Sequence, residues 1–176
     1  MKQVEDAEIL QKFSVEKTRN EAFNLLLNKY QQKIYWHIRR IVIDHDDTDD
    51  LVQETFVKVW KNLANFRSDS QLYTWLYRIA LNTAISSFRK KRPQINFVAE
   101  LPYDVAEKDG YNNDEKQHLI YAIKQLNEGE RAIITLYLDE LSYAEIAAII
   151  GTSENNIGVK INRIKNKLYK ILSHGK

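Results

Sequence analysis

Apolar residues recur at steps of three and four along most of this chain. In "EAFNLLLNKYQQKIYWHIRRIVI" they fall at Phe23, Leu26, Tyr30, Ile34, Ile38 and Ile41, a single stripe at helical period, which predicts a long helix with that face buried. The β-branched and aromatic content of "IYWHIRRIVI" is also strand-like, but the upstream period continues through it and helix prevails. "DHDDTDD" then interrupts the pattern with five aspartates and predicts a turn and a helix N-terminus, where carboxylates meet the positive end of the dipole. A calcium loop counted from Asp44 needs glycine sixth and an acid twelfth; Asp49 and Thr55 stand there, which excludes it. The next helix, "DDLVQETFVKVWKNLANF", turns Val52, Phe56, Val59 and Leu63 inward with Trp60 at the edge. After the polar loop "FRSDS", the helix "QLYTWLYRIALNTAISSFRKKR" directs Leu72, Leu76, Ile79 and Thr83 one way.

The helical pattern stops at "PQINFVAELPYDVAEKDGYNNDE", which holds both prolines, Pro93 and Pro102, and Gly110. Charge changes at the same place. Residues 1–92 carry 16 basic and 12 acidic side chains, residues 93–115 carry 1 and 6, and residues 116–176 carry 9 and 6. The expected architecture is therefore all-α: two small helical domains, 1–92 and 116–176, joined by a flexible acidic linker, 93–115. One continuous domain with a long surface loop is the alternative, disfavoured because structureless loops of that length are uncommon in compact domains. A hydrophobic content of 44% is that of a globular protein. Zero cysteines exclude disulfides and thiolate metal sites. No apolar run is long enough for a signal peptide or a membrane span, so the expected location is the cytoplasm, without membrane contact.

In the second block, Asn127 with Glu130 marks a helix start before "RAIITLYL". "LSYAEIAAIIGTSENNIGVKINRIKNKLYKIL" adds a capping box at Ser142 and Glu145, a small-residue helix, a turn at Gly151, and a longer helix entered through Thr152 and Ser153. Short helix, glycine turn, longer helix is the helix-turn-helix arrangement. Ile157, Ile161, Ile164, Leu168 and Ile171 form the buried face of the longer helix. Asn155, Val159, Asn162 and Asn166 lie opposite, and Lys160, Arg163, Lys167 and Lys170 run down one flank. Amides facing bases and cations facing phosphates suit a major groove; a solvated basic face is the plainer alternative.

Two exposed faces in the first block carry chemistry of their own. Opposite its apolar stripe, the Asp-rich helix presents Asp50, Glu54, Val57 and Lys61, flanked by Gln53 and Lys58. This is either a solvated face or a protein-docking face. On the following helix, Arg78, Asn82 and Arg89 align near Tyr73, Trp75 and Tyr77, and the helix ends in Arg89, Lys90, Lys91 and Arg92. Cations at a helix C-terminus favour the dipole; with an amide and aromatic faces they also suit nucleic acid. A free-standing duplex-binding regulator fits the helix-turn-helix equally well. An enzyme fits poorly, since the histidines are scattered and no glycine-rich phosphate loop or metal-ligand cluster is present.

In order and spacing, "AFNLLLNKYQQKIY", "DLVQETFVKVWKNLANFR", "YTWLYRIALNTA" and "LSYAEIAAIIGTSENNI" resemble the extracytoplasmic-function (ECF) class of bacterial RNA polymerase sigma factors, over nearly the whole chain. The resemblance implies a transcription initiation factor with no catalytic residues and no cofactor, whose partners are core RNA polymerase, promoter DNA and an anti-sigma factor. It implies that Asp50, Gln53, Glu54, Val57 and Lys61 bind polymerase. Phe66, Arg67, Ser68, Asp69 and Ser70, with Asn82 behind them, would capture a flipped base of the minus-ten element, and Trp75, Arg78, Arg89, Lys90, Lys91 and Arg92 would also bind minus-ten DNA. Ser153, Asn155, Asn156, Val159, Lys160, Arg163 and Lys167 would read the minus-thirty-five duplex, and the linker would thread toward the RNA exit channel. Three positions depart from the family: Ser86 where aspartate is common, Gly158 where a basic residue is usual, and Ile164 where alanine is common.

Overall fold

The computed structural model describes residues 5–42, 45–91 and 113–174. Among them all regular structure is helical: α1 (Asp6–Ser14), α2 (Arg19–Val42), α3 (His45–Asn62), α4 (Leu72–Lys91), α5 (Asn113–Lys124), α6 (Glu128–Leu138), α7 (Tyr143–Ile150) and α8 (Glu154–His174), with short 3₁₀ turns at Glu16–Thr18 and Leu63–Asn65. Helix α2 runs unbroken through the strand-like segment. There Tyr30, Ile34, Ile38 and Ile41 are buried at helical period, with Phe23 half-buried at the top of the stripe.

Helix α3 begins at His45, inside the aspartate run, where carboxylates in the first turns offset the dipole. Its apolar side packs on α2 and α4. Trp60 lies at the edge of that side because Phe13 of α1 and Phe23 of α2 meet its ring edge-to-face, with centroids 5.4 and 5.0 Å away. Helix α1 is fastened to α2 by Asp6, whose carboxylate accepts from Tyr30 Oη and Lys29 Nζ, both at 2.7 Å.

The second unit is ordered by caps. Asn127 and Glu130 form a reciprocal capping box at α6, and Ser142 and Glu145 form another at α7, each satisfying two otherwise orphaned donors. Helix α7 ends at Gly151, whose φ of 79° is the left-handed conformation glycine adopts without a Cβ penalty. Ile157, Ile161, Ile164 and Leu168 of α8 are buried against the preceding helices. Ile164 thus fills core space. Gly158 is not demanded by packing: a Cβ there would sit 3.5 Å from the Tyr143 ring, an ordinary contact.

One boundary differs from the sequence expectation. Helix α5 starts at Asn113, so its first residues come from the acidic segment, where "NDE" supplies the negative charge that a helix N-terminus favours. The rest of the expected linker, 93–112, lies outside the described residues.

The two helical units also touch. Helix α6 packs on α2, and α7 packs on α4.

Candidate functional site

Three surfaces bear on function. The first is the outward face of α3, where Asp50, Gln53, Glu54, Val57 and Lys61 are all exposed. Val57 is 51% exposed, an apolar side chain among carboxylates and an amide. Glu54 Oε1 accepts from Lys58 Nζ at 2.7 Å, so the face is joined to the next surface through one ammonium group.

The second surface is a cleft of about 530 Å³ between the C-terminal half of α3 and helix α4. Of the residues expected at the minus-ten element, it brings together Trp75 and Asn82. It also recruits Lys58, Asn62, Asn65, Ile79, Thr83 and Ser86, which the sequence reading did not assign. Part of their signal was present: positions 58 and 62 are one helical step apart on α3, with Asn65 in the 3₁₀ turn that follows, and 75, 79, 82 and 86 repeat at helical steps along α4. Phe66 leans on Trp75 with ring centroids 5.3 Å apart. In the loop beside the cleft, Arg67, Ser68 and Asp69 are exposed and Phe66 and Ser70 half-buried. Ser68 holds φ at 57°, a left-handed conformation costing a non-glycine residue about 1–2 kcal/mol. Strain of this kind is concentrated at functional loops. The side chains of Arg89, Lys90 and Lys91, and the whole of Arg92, lie outside the described residues.

The third surface is the solvent face of α8. Asn155, Asn156, Val159, Arg163 and Lys167 are exposed there and Lys160 half-buried, with Ser153 exposed at the N-cap. The entry turn is held by Asn156, which donates from Nδ2 to Thr152 Oγ1 at 2.9 Å. Lys167 is tied to Glu130 at 2.7 Å, so it is less available to a phosphate than Arg163.

Arg78, expected at the minus-ten element, is not among the residues that line the cleft. Its guanidinium donates to the Ala148 carbonyl of α7, and Tyr73 Oη donates to Glu145. Both belong to the contact between the two units. Arg131 of α6 donates from Nε to the Ile41 carbonyl at 2.9 Å and from Nη1 to the Leu126 carbonyl at 2.6 Å. Arg40 pairs with Asp139. His37, wholly buried, has its Nδ1 3.8 Å from Asp139 Oδ2 and packs on the Tyr77 ring. Neither imidazole nitrogen has a hydrogen-bond partner.

Burial lowers the His37 pKa below its ordinary 6.5, against the raising influence of Asp139. For Asp139, burial pushes upward but His37 and Arg40 outweigh it, leaving the carboxyl below its ordinary 3.8. Where separation of the units lets water reach His37, its pKa rises back toward 6.5, so proton uptake as the pH falls through that value is expected to weaken their pairing. The Asp139 contribution is lost only at lower pH, as the pH falls below 3.8. An interdomain fluorescence-transfer titration is expected to show separation growing between about pH 7 and pH 5 in the wild type. In His37→Phe, which has no proton to take up, the same titration should be flat.

The chain matches the family model for Sigma-70 region 2 over residues 26–94 and that for Sigma-70 region 4 over residues 116–168. It is 37% identical to the ECF RNA polymerase sigma-E factor of Escherichia coli (strain K12), covering 90% of this chain and 92% of that protein. It is 34% identical to the RNA polymerase sigma-H factor of Pseudomonas aeruginosa, over 97% and 95% of the two chains. Among solved structures, the sigma factor RpoE of Bartonella quintana, in complex with the anti-sigma factor NepR, is similar at TM-score 0.72 and 25% identity, covering 90% of this chain and 98% of that one. CnrH, in complex with the cytosolic domain of CnrY, shares the fold at TM-score 0.73 and 24% identity, over 97% and 99%.

Proposed function

This chain belongs to the extracytoplasmic-function class of bacterial RNA polymerase sigma factors, and from that premise we propose how its surfaces divide the work of directing polymerase to promoters. Residues 1–92 dock on core polymerase through the outward face of α3 and open the minus-ten element. Residues 116–176 read the minus-thirty-five element as duplex through α8, and residues 93–115 connect the two. The observation that carries this division is the adjacency of the exposed α3 face to a cleft lined by three asparagines and Trp75. Docking and strand capture are then neighbouring events on one helix pair. The chain performs no bond chemistry, works in the cytoplasm, and is held inactive by an anti-sigma protein, a reading that RpoE in complex with the anti-sigma factor NepR supports.

The cleft supports base capture on chemical grounds. Extruding a base costs unstacking energy, and a pocket that binds only the extruded form returns that energy at the opened position. Trp75 offers an aromatic platform and Asn82 an amide for a base edge. Asn82→Ala is expected to reduce permanganate reactivity at the minus-ten element by about tenfold, the value of one or two lost hydrogen bonds. Duplex binding in a gel shift should fall far less; equal losses would remove Asn82 from strand capture.

The α8 surface supports duplex reading because its exposed amides stand over the groove side and Arg163 at its flank. Arg163→Ala should lower the slope of log affinity against log salt by about one phosphate contact. An unchanged slope would place Arg163 away from the DNA.

Both elements cannot be read while α7 lies on α4. Elements about 25 base pairs apart are separated by roughly 85 Å along a duplex rising 3.4 Å per pair. Residues 92–112 reach at most about 70 Å when extended, which suffices once the breadth of the two domains is added. The packed arrangement is therefore the form that precedes promoter engagement. The decisive test is a fluorescence-anisotropy titration with core polymerase, followed by selection from a promoter library with and without core. Specific DNA retained only in the complex supports the proposal; specific duplex binding by the protein alone would make it a free-standing regulator.

A further inference from the structure

We propose that Lys58, which the sequence pattern places only at the flank of the α3 docking face, binds a backbone phosphate of the strand captured in the α3–α4 cleft. The inference rests on the minus-ten reading of that cleft and deepens it by naming the group that takes the strand's charge. The lining chemistry separates into two kinds. Asn62, Asn65 and Asn82 are amides, each with donor and acceptor atoms, matched to the mixed edge of a base. Asn62 donates one Nδ2 hydrogen to the Lys58 carbonyl at 2.8 Å, leaving its second N–H to donate and its Oδ1 to accept. Lys58 has donors only, matched to a phosphate oxygen.

Its position distinguishes it from a solvated surface lysine. The ammonium reaches across from α3 and donates to Thr83 Oγ1 of α4 at 3.0 Å, while Glu54 Oε1 accepts from it at 2.7 Å. Thr83 Oγ1 donates in turn to the Ile79 carbonyl at 2.8 Å, so its hydroxyl proton is committed and it serves Lys58 as an acceptor. Two of the three N–H directions are thus fixed from the two walls, and the ammonium sits in the cleft lining beside Asn82. Among the described residues no carboxylate lines the cleft; Ser86, one turn beyond Asn82, is neutral. Among the described residues the anion paired with Lys58 is Glu54, which belongs to the docking face. A side-chain pair at i and i+4 that is 41% and 46% exposed is weak. A phosphate displaces it readily, and so does a polymerase surface that engages Glu54. Docking then leaves the ammonium committed to the cleft, which places polymerase binding and strand capture in the same charge network.

The test uses holoenzyme assembled from core polymerase saturated with the wild type, Lys58→Gln, Lys58→Arg or Thr83→Val, on a promoter that the wild-type holoenzyme selects and opens. If the wild type opens no promoter, the minus-ten reading itself fails. Given wild-type opening, Lys58→Gln is expected to cut permanganate-reactive open complex at least about fivefold and to lower the salt slope of opening by about 0.7, the value for one phosphate of a single strand. Lys58→Arg should restore most of both, because it keeps the cation. Thr83→Val removes the tie between the helices without removing charge, so it should fall less than Lys58→Gln and keep the wild-type slope. The proposal is overturned if Lys58→Gln opens with the wild-type slope, or if Thr83→Val reproduces its loss. Either result would make Lys58 a strut between α3 and α4 only.

Discussion

Replacement of Glu54 by lysine is expected to weaken binding to core RNA polymerase by at least about 100-fold, the loss of a central interface residue worth roughly 3 kcal/mol. Glu54 lies mid-way along the exposed face of α3, with Asp50 and Gln53 on one side and Val57 on the other. An apolar side chain with carboxylates and an amide on one side is suited to a partner that brings a hydrophobic contact flanked by cations. Reversing the charge removes one attraction and adds a repulsion at the same spot. The fold should barely respond, because the intramolecular pair with Lys58 is exposed and i,i+4 pairs contribute only about 0.3–0.5 kcal/mol. The check is an anisotropy titration of labelled protein with core, beside a thermal melt. Unchanged affinity with an unchanged melt would remove this face from polymerase docking; a collapsed melt would show that Glu54 holds the helix pair together.

The second large effect is expected at Arg131, which is 7% exposed and joins the two helical units. Ile41 is in the last turn of α2, where backbone carbonyls lack an intrahelical donor. Arg131 supplies that donor from another domain while also closing the Leu126 carbonyl at the entry to α6. Burial lowers its pKa below the ordinary guanidinium value, a shift that leaves the guanidinium charged near neutrality. Arg131→Ala leaves two buried carbonyls unpaired at about 1–3 kcal/mol each. Release of the guanidinium's own burial cost reduces the net loss to about 2–4 kcal/mol. Urea denaturation measures that loss, and interdomain fluorescence transfer reports whether α6 has left α2. Arg131→Lys should recover less than half, since one ammonium lacks the planar fork that serves both carbonyls. A loss under about 0.5 kcal/mol for Arg131→Ala would mean that water satisfies both carbonyls and that apolar packing alone joins the units.

How much of this was legible in the sequence depends on how local the controlling physics is. The stripe from Leu26 to Ile41, the capping boxes at Asn127 and Ser142, and the left-handed turn at Gly151 are set within a few residues. Each appears in the structure where the pattern places it. The exposure of Asp50 to Lys61 follows from the same helical period. Arg78 shows the limit of that reasoning. Its place on α4 relative to Asn82 was readable, but its engagement with Ala148 depends on a helix seventy residues away.

The α3–α4 cleft shows the same division at the candidate site. Lys58 and Asn62, with Asn65 in the turn that follows, form one row and Trp75, Ile79, Asn82 and Ser86 another; each row alone reads as an ordinary helix flank. Packing of α3 on α4 turns both rows toward one space. His37 likewise looks like any residue on a helical stripe until Tyr77 and Asp139 close over it. By itself, then, the sequence determined the helices, their buried faces, the helix-turn-helix and the family, because periodicity, caps and motif spacing act over one or two turns. Only the tertiary structure decided which flanks share a cleft, which cation spans it, and that α6 and α7 lie on the first domain. Those outcomes depend on crossings between elements distant in sequence, where side-chain shape and unsatisfied backbone groups select one arrangement.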